Sequence, residues 1–317
     1  MLEAAEQGLT LSERAYETTL RHLRTRLLKA HFALRDTRRQ VIVIVSGSEG
    51  AGKGELVHRF NEWLDPRAVI TQAFWDASDE DEERPHFYRF WRAMPGNGRV
   101  GIFFGSWYTS PIIDRVTKAR RKREFVPELD RLVAFERMLT DDGVHLVKLW
   151  MHLAKPAQHA RLKQLEKDGR LGPDDWKHHR SYDRFREISE AALVHTDVSN
   201  APWHVLDATD RRYREIAAGK ALLHALDAAV AADAADAADA ASRRSAAPPT
   251  PVNPTRVKAT RVKATSAAVA AHAKSPTRAW VPGASLLDRV DLSQKLTVAA
   301  YERELNALQE QVSRLAW

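Results

Sequence analysis

The sequence of 317 residues contains no cysteine. Disulfide bonds, thiolate zinc sites and cysteine nucleophiles are therefore excluded, and the lack of thiols is typical of a reducing compartment, so we expect the cytoplasm. Long apolar runs are also missing, because the longest, residues 41–45, is far too short to cross a bilayer. The first 20 residues lack the apolar core and small-residue cleavage site of a secretory signal. We therefore expect neither export nor membrane insertion.

Acidic residues are missing from one long stretch, residues 242–278, which holds eight lysines and arginines. The formal net charge of the whole chain is +7. This stretch therefore accounts for all of the excess, and the remainder of the chain is close to neutral. A near-neutral body with a basic segment gives little support to a folded nucleic-acid-binding surface, so nucleic acid is the least favoured partner.

Hydrophobic residues make up 44% of the chain and charged residues 29%, as in ordinary globular proteins. A continuous β-branched run at residues 41–45 predicts a parallel strand buried on both faces. Further strands are predicted at residues 68–74, 100–104, 144–153 and 204–207. Helical spacing predicts helices at residues 15–33, 55–64, 127–139, 157–167 and 182–193. Strands that alternate with helices indicate βαβ units around a parallel sheet, which is an α/β fold.

The composition changes beyond Leu226, first to Ala- and Asp-containing triplets and then to Pro248-Pro249 and two copies of Thr-Arg-Val-Lys-Ala. Apolar residues do not recur there at the spacing of a helix or a strand. We interpret residues 229–284 as a disordered linker whose Ala-rich start can continue the preceding helix. Residues 1–228 would then form the main domain.

A pattern near the amino terminus recurs 285 residues further along the chain. Ala15-Tyr16-Glu17-x-x-Leu20-x-x-Leu23 returns as Ala300-Tyr301-Glu302-x-x-Leu305-x-x-Leu308, and a Leu-Ser pair, at 11–12 and 292–293, precedes each copy. This repeat predicts that residues 285–317 contain the opening helix of a second, truncated copy of the same domain. The alternative is two unrelated amphipathic helices.

Residues 47–54 fit the spacing G-x-x-x-x-G-K directly after the predicted buried strand and before a helix. Such a loop turns successive N–H groups toward phosphate oxygens, and the helix amino end adds positive potential. Lys53 supplies a mobile cation for the terminal phosphates and is the first candidate catalytic residue. The other candidate phosphate-binding residues of the loop are Gly47, Gly50, Ala51, Gly52 and Gly54. The alternative is a glycine-rich turn that only joins strand to helix.

The acid that should hold a bridging Mg²⁺ is harder to find. The Ser or Thr that normally follows the loop lysine is Gly54, and the end of the strand at residues 100–104 carries no carboxylate. Glu49, inside the loop, is the candidate catalytic acid and metal ligand, or else a solvated loop residue. Three further acids could approach from elsewhere: Asp114, Asp207 and Asp210.

Five positive charges are concentrated in six residues beyond the strand at residues 100–104. They are Lys118, Arg120, Arg121, Lys122 and Arg123. Such a cluster would steer and neutralise a polyanionic substrate, and we name all five as candidate phosphate-binding residues. The alternative is a solvated helix face.

Several stretches together resemble the type-2 polyphosphate kinase family, in the family's order. They are the loop at residues 47–54, Leu64-Asp65-Pro66-Arg67, Ser106-Trp107-Tyr108, Phe135-Glu136-Arg137-Met138-Leu139, Lys148-Leu149-Trp150-Met151-His152-Leu153, Trp176-Lys177 and Ala201-Pro202-Trp203. The resemblance covers about residues 11 to 228. It implies a three-layer α/β/α P-loop kinase fold with a helical lid, and reversible, Mg²⁺-dependent phosphoryl transfer between inorganic polyphosphate and a nucleotide. Family members are commonly oligomeric, which implies a homo-oligomer.

The resemblance also assigns roles. The family's loop acid, usually Asp, falls on Glu49, and its lysine falls on Lys53. The lid's basic residues fall within 118–123. The Asp-Arg pair that precedes Ser-Trp-Tyr in active members falls on Phe104-Gly105, so an acid and an arginine are missing.

Within the family, the sequence looks most like the amino-terminal domain of two-domain polyphosphate:AMP phosphotransferases, which also has Phe-Phe-Gly at this place. Two hypotheses follow. Either the chain converts AMP to ADP with polyphosphate, with activity impaired by the missing pair, or it is a non-catalytic module that binds polyphosphate or nucleotide and supports a catalytic domain.

Overall fold

The computed structural model describes residues 1–246 except 75, 76, 120 and 173, together with residues 297, 300, 301, 303–305 and 308. The chain divides into two compact units, Met1–Arg244 and Ser245–Trp317. Each unit is described by itself.

Five strands of the first unit form one parallel sheet in the order β2-β3-β1-β4-β5. The strands are β1 (Gln40–Gly47), β2 (Val69–Ala73), β3 (Val100–Phe104), β4 (Val144–His152) and β5 (Trp203–Asp207). Each lies where the sequence predicts a strand, and the parallel sheet is confirmed. The loop after β1 therefore starts at the centre of the sheet, where β3 and β4 flank it.

Helices connect the strands in the described part of the first unit. They are α1 (Glu13–Leu34), α2 (Lys53–Trp63), α3 (Asp79–Glu83), α4 (Tyr88–Arg92), α5 (Thr109–Thr117), α6 (Lys122–Asp141), α7 (Lys155–Lys167), α8 (Asp175–Arg180), α9 (Tyr182–Thr196) and α10 (Arg211–Ala246). Across the described residues, none of the helices combines the length and the apolar character that crossing a membrane requires.

Two separate apolar clusters cover the two faces of the sheet. Val41, Val43 and Val45 of β1 belong to one cluster, and Ile42 and Ile44 belong to the other. The first cluster contains residues of α1, α2 and α10, and the second contains residues of α5, α6 and α9. Because successive side chains of a strand point to opposite faces, a strand covered on both sides needs an unbroken apolar run. The three-layer α/β/α architecture is confirmed.

The helix α10 is 36 residues long and continues well past the predicted domain boundary at residue 228. Alanine is the best helix former, and the Ala-rich stretch supplies it repeatedly. Asp233 accepts a hydrogen bond from the backbone N–H of Arg38 (3.0 Å), and Asp236 pairs with Arg39, so the extension is tied to the start of β1. The boundary at 228 therefore falls inside a helix, and the rest of the predicted linker, residues 247–284, lies outside the described residues.

In the second unit, the described residues include the start of a helix at Ala300. The N–H groups of Ala300 and Tyr301 donate to Oγ1 (3.3 Å) and to the carbonyl oxygen (2.9 Å) of Thr297. The same two bonds, at 3.3 and 2.9 Å, join Ala15 and Tyr16 to Ser12 at the start of α1. Ser12 and Thr297 are also 285 positions apart, so the repeat extends to the helix cap, and Thr297 rather than Ser293 corresponds to Ser12. The remainder of residues 285–317 lies outside the described residues.

Candidate phosphate-binding site

The loop at residues 47–54 joins the central strand β1 to the helix α2, as the sequence predicts. The strand β1 ends at Gly47, Ala51 is fully buried, and α2 begins at Lys53. Gly52 caps the helix in a left-handed conformation with φ of 79°. The first N–H groups of α2 have no partners within the helix, and they open toward this loop. Gly47, Gly50, Gly52 and Gly54 are thus brought together in one turn around the amino end of α2.

Lys53 lies folded over its own loop. Its ammonium group donates hydrogen bonds to the carbonyl oxygens of Gly47 (3.1 Å) and Ser48 (3.2 Å) and to Oε1 of Glu49 (3.2 Å). The Lys53 side chain is 16% exposed. A phosphate bound to the loop amides would offer this ammonium stronger, charged acceptors than two backbone carbonyls.

Glu49 is placed in the same turn. The charge of Lys53 lowers the pKa of Glu49 below its ordinary value, so the carboxylate is ionised at neutral pH. Gln158 of α7 donates a hydrogen bond to the Glu49 carbonyl oxygen (3.1 Å) and so joins the loop to α7. The two candidate catalytic residues, Lys53 and Glu49, therefore adjoin each other directly.

Asp175, at the start of α8, is a second carboxylate close to the loop that the sequence analysis missed. Burial raises the pKa of Asp175, and the negative charge of Glu49 raises it further. Asp175 accepts a hydrogen bond from the Gly172 N–H (2.7 Å). Its only sequence signal is its position directly before Trp176-Lys177, one of the stretches that resemble the family.

The end of β3 is followed by a glycine in a left-handed backbone conformation, Gly105. Gly105 has φ of 76°, and a Cβ atom added there would lie 2.7 Å from the carbonyl oxygen of Phe74. The Phe74 N–H in turn donates to the Phe104 carbonyl oxygen (2.9 Å). An arginine at position 105 therefore cannot be accommodated unless the chain near Phe74 moves.

The three other acids named from the sequence lie on elements other than the phosphate loop. Asp207 is buried and accepts hydrogen bonds from the N–H groups of Leu9 (3.1 Å) and Thr209 (2.9 Å). Asp210 accepts from the Tyr213 N–H (2.6 Å) near the start of α10, and Asp114 lies on α5. Among the described residues, no group of three or more possible metal ligands is formed.

The basic cluster lies where α5 passes into α6. Lys118 ends α5 with φ of 67°, Arg121 caps α6, and Lys122 and Arg123 lie in its first turn. All four side chains are exposed, and Arg120 lies outside the described residues. The helical lid that the resemblance implies stays a prediction.

A cavity of about 180 Å³ adjoins the loop and is rich in arginine. Arg161, Arg170, Arg211 and Arg214 line it together with Glu55. The sequence analysis missed all five, because they come from α2, α7, the turn after α7, and α10, with no local spacing that links them.

Four of the stretches that carry the resemblance meet in a buried polar network remote in sequence from the loop. Glu136 accepts hydrogen bonds from the Trp107 indole (3.0 Å), the Tyr108 hydroxyl (2.7 Å) and the Lys148 ammonium (2.8 Å). Lys148 also donates to the Thr196 carbonyl oxygen (2.8 Å) and lies 4.9 Å from the Trp203 ring centroid. Lys148 and Glu136 are fully buried. These five residues of the resembling stretches therefore belong to the buried core and not to the phosphate loop.

The model of the polyphosphate kinase 2 family matches residues 10–234. The chain belongs to the polyphosphate kinase 2 family. The family fold is seen in a crystal structure of a polyphosphate kinase 2 from Pseudomonas aeruginosa, with a TM-score of 0.68 and 36% identity over 97% of this chain and 54% of that chain. The polyphosphate kinase 2 of Arthrobacter aurescens TC1 superposes with a TM-score of 0.67 and 26% identity over 70% of this chain and 82% of that chain.

Two curated relatives in this family are polyphosphate:AMP phosphotransferases. That of Pseudomonas aeruginosa is 38% identical over 320 residues, which cover 99% of this chain and 58% of the relative. That of Pseudomonas syringae pv. tomato is 38% identical over 235 residues, which cover 73% of this chain and 47% of the relative. The chain therefore spans about half the length of these relatives.

Proposed function

We propose that the chain transfers a phosphoryl group between inorganic polyphosphate and a nucleotide, in the direction AMP to ADP. The observation that carries this proposal is the turn from the central strand β1 into α2, with Lys53 folded over it. Membership of the polyphosphate kinase 2 family supplies the donor, and the names of the two curated relatives supply the acceptor.

In this reaction an oxygen of the AMP phosphate attacks the terminal phosphorus of the polymer. The P–O bond to the next phosphate breaks, ADP forms, and the polymer leaves one phosphate shorter. The loop amides and Lys53 would bind the phosphates and offset the charge that the transition state spreads over the equatorial oxygens. Lys53 would exchange its bonds to Gly47 and Ser48 for bonds to phosphate.

Mg²⁺ fits this site only with substrate oxygens as most of its ligands. The ion usually keeps several waters and takes one or two carboxylates plus substrate phosphates, and Glu49 is the ionised carboxylate of the loop. Glu49 would hold the ion on the protein side. When bound, Mg²⁺ would neutralise charge on the phosphates.

A specific observation favours the second function, a module that binds polyphosphate without turnover. The end of β3 offers Phe104 and Gly105 where active members carry an acid and an arginine, and a side chain at position 105 would clash with the Phe74 carbonyl oxygen. Loss of a metal-holding acid costs several kcal/mol of transition-state stabilisation, which is orders of magnitude in rate.

ADP formation from AMP, polyphosphate and Mg²⁺ separates the two functions. If the chain is an enzyme, Lys53→Ala abolishes turnover, whereas Lys29→Ala, an exposed lysine on α1, leaves it unchanged. Phe104→Asp, which restores the acid, should raise turnover. Polyphosphate binding without ADP formation would reject the enzyme in favour of the module, and absence of both would reject both functions.

The proposal includes a cytoplasmic location and a homo-oligomer. The lack of cysteine supports the first, and membership of a family whose members are commonly oligomeric supports the second. Light scattering of the full chain tests the second, since a mass of one chain at all concentrations would contradict it.

A further inference from the structure

The arginine-rich cavity beside the phosphate loop has an unusual charge balance. Four guanidinium groups and one carboxylate line it, which leaves three positive charges in excess among the lining residues. The other lining residues are Gly50, Leu153, Ala157, Ala208 and Thr209. A pocket with this balance attracts anions.

Glu55 is the counterion of three of the four arginines, whereas Arg211 lies 3.9 Å from Glu215. One carboxylate oxygen accepts a hydrogen bond from Arg161 (2.6 Å) and lies 3.8 Å from Arg170, and the other pairs with Arg214. Burial alone would raise the pKa of Glu55, but the charges of Arg214 and Arg161 hold it below its ordinary value. Glu55 is therefore ionised and occupies the place where an external anion would bind.

Two of the arginines keep unused donors. Arg214 is 3% exposed, and the Nε atoms of Arg214 and Arg161 are buried without a hydrogen-bond partner among the described residues. A buried donor without an acceptor costs free energy, so a single carboxylate does not satisfy this cluster. An anion with more oxygens, such as a phosphate group, offers the additional acceptors, and arginine binds it through two parallel N–H bonds.

The cavity is in direct contact with the phosphate loop. Gly50 of the loop lines it, and the Arg214 guanidinium lies so close to Gly52 that an added Cβ atom would come within 2.3 Å of Nη2. If one phosphate of a chain is bound to the loop amides, the neighbouring phosphates of that chain can therefore reach the arginines.

We propose that this cavity is a second phosphate subsite, continuous with the P-loop, in which Glu55 competes with a phosphate group of the incoming polymer. The identity of the anion rests on the proposed function. In the unliganded chain, Glu55 pairs with the buried Arg214 and with Arg161 and keeps the subsite closed. Binding of the polymer displaces the carboxylate, so the charge at position 55 sets the affinity for the phosphate chain.

Calorimetric titration of the full chain with tripolyphosphate tests the competition. Glu55→Gln removes the competing charge while it keeps the size of the side chain, and it should tighten binding roughly tenfold. Glu62→Gln is the matched control, because Glu62 lies on the same helix and pairs with Arg59 (2.7 Å) away from the cavity. The control should leave the affinity unchanged.

A second substitution keeps the proposal testable if Glu55→Gln does not fold. Arg161→Gln in the natural chain should weaken tripolyphosphate binding by roughly tenfold, and the gain from Glu55→Gln should disappear in the double variant. Arg131→Gln, which changes an exposed arginine on α6, is the control. Thermal unfolding of each variant without ligand verifies that it is folded.

The outcomes separate this inference from the proposed function. Unchanged or weaker binding in folded Glu55→Gln, with binding lost in Lys53→Ala, overturns the subsite and leaves the P-loop function standing. Tighter binding in Glu55→Gln with no effect of Lys53→Ala supports the subsite as an anion site and overturns the P-loop function. Tighter binding in Glu55→Gln together with loss in Lys53→Ala supports both.

Discussion

Two glycines of the phosphate loop, Gly52 and Gly54, meet different surroundings two residues apart. Gly52 has a left-handed backbone and lies under the Arg214 guanidinium, whereas the space around a Cβ atom at Gly54 is open to at least 4 Å. Gly52 is therefore required by both conformation and packing. Gly54 lies in the first turn of α2, where other residues fit.

Alanine substitutions should separate the two positions. Gly52→Ala combines an unfavourable backbone conformation with displacement of Arg214, and it should lower the free energy of unfolding by about 2 kcal/mol or more. Gly54→Ala should raise it by up to about 1 kcal/mol, because alanine favours a helix over glycine. Urea unfolding midpoints at constant slope measure both values. Equal effects of the two substitutions would contradict this account of the loop.

His31 on α1 provides a pH dependence of stability. The ring is fully buried, Nδ1 accepts a hydrogen bond from the Asp65 N–H (3.3 Å), and Nε2 lies 3.4 Å from the Ala68 carbonyl oxygen. Burial lowers the pKa of His31 below its ordinary value, so the folded chain keeps the ring neutral. Below the ordinary histidine pKa the unfolded chain takes up a proton that the folded chain does not.

The free energy of unfolding should therefore fall as the pH drops below about 6.5, by at most about 1.4 kcal/mol per pH unit from this group. His31→Gln should reduce that slope, measured by urea unfolding between about pH 8 and about pH 5. Burial also lowers the pKa values of His145 and His204, so part of the slope should remain. An identical slope in the variant would show that His31 does not contribute.

Among the individual site residues, the sequence identifies those that belong to a local sequence motif. Lys53 and Glu49 could be named because a strand, a glycine spacing and a helix surround them. Glu55, Arg161 and Arg214 could not, because their meeting depends on how α2, α7 and α10 pack around one cavity.

The individual elements follow from their sequences where one residue property dominates. The apolar run of β1 is predictable because both faces of the central strand are covered. The end of α10 is less predictable, since its Ala-rich extension contains no apolar period and is held by Asp233 and Asp236 through Arg38 and Arg39. Composition alone therefore placed the domain boundary at residue 228 and allowed the Ala-rich start of the linker to continue the helix, but it did not give the residue at which the helix ends.

The Lys148–Glu136 pair joins β4 to α6 inside the apolar core. Burial lowers the pKa of Lys148, although the charge of Glu136 acts in the opposite direction. Removal of one partner leaves an uncompensated buried charge.

Lys148→Met should therefore lower the free energy of unfolding by about 3–5 kcal/mol. The double variant Glu136→Gln/Lys148→Met should recover part of this loss, because no charge remains buried. Chemical denaturation of the two single variants and the double variant gives the coupling free energy. Additive losses would show that the two side chains do not act as a pair.

For the whole molecule, the location of positive charge matters more than its sum. The segment at residues 242–278 holds the formal excess, whereas the candidate site concentrates Lys53 and four arginines in a nearly neutral body. Polyphosphate binding should therefore stabilise the folded first unit against unfolding.

Saturating tripolyphosphate should raise the unfolding temperature of the full chain at low ionic strength, with about 2.7 kcal/mol of stabilisation at a concentration of 100 times the dissociation constant. The effect should shrink as salt screens the charges. The rise in unfolding temperature should vanish in Lys53→Ala, when it is measured relative to the same variant without ligand. A shift that persists in Lys53→Ala would assign binding to other basic residues.

The tight turn at Gly105 has a consequence for engineering. Because the Phe74 carbonyl oxygen occupies the space of a Cβ atom at position 105, the family's arginine cannot be introduced there by a single exchange, whereas the acid at position 104 can. Their effects should be epistatic, with an arginine at position 105 beneficial only after the neighbouring backbone has been redesigned. A directed-evolution library intended to increase turnover should therefore randomise the residues around Phe74 together with positions 104 and 105.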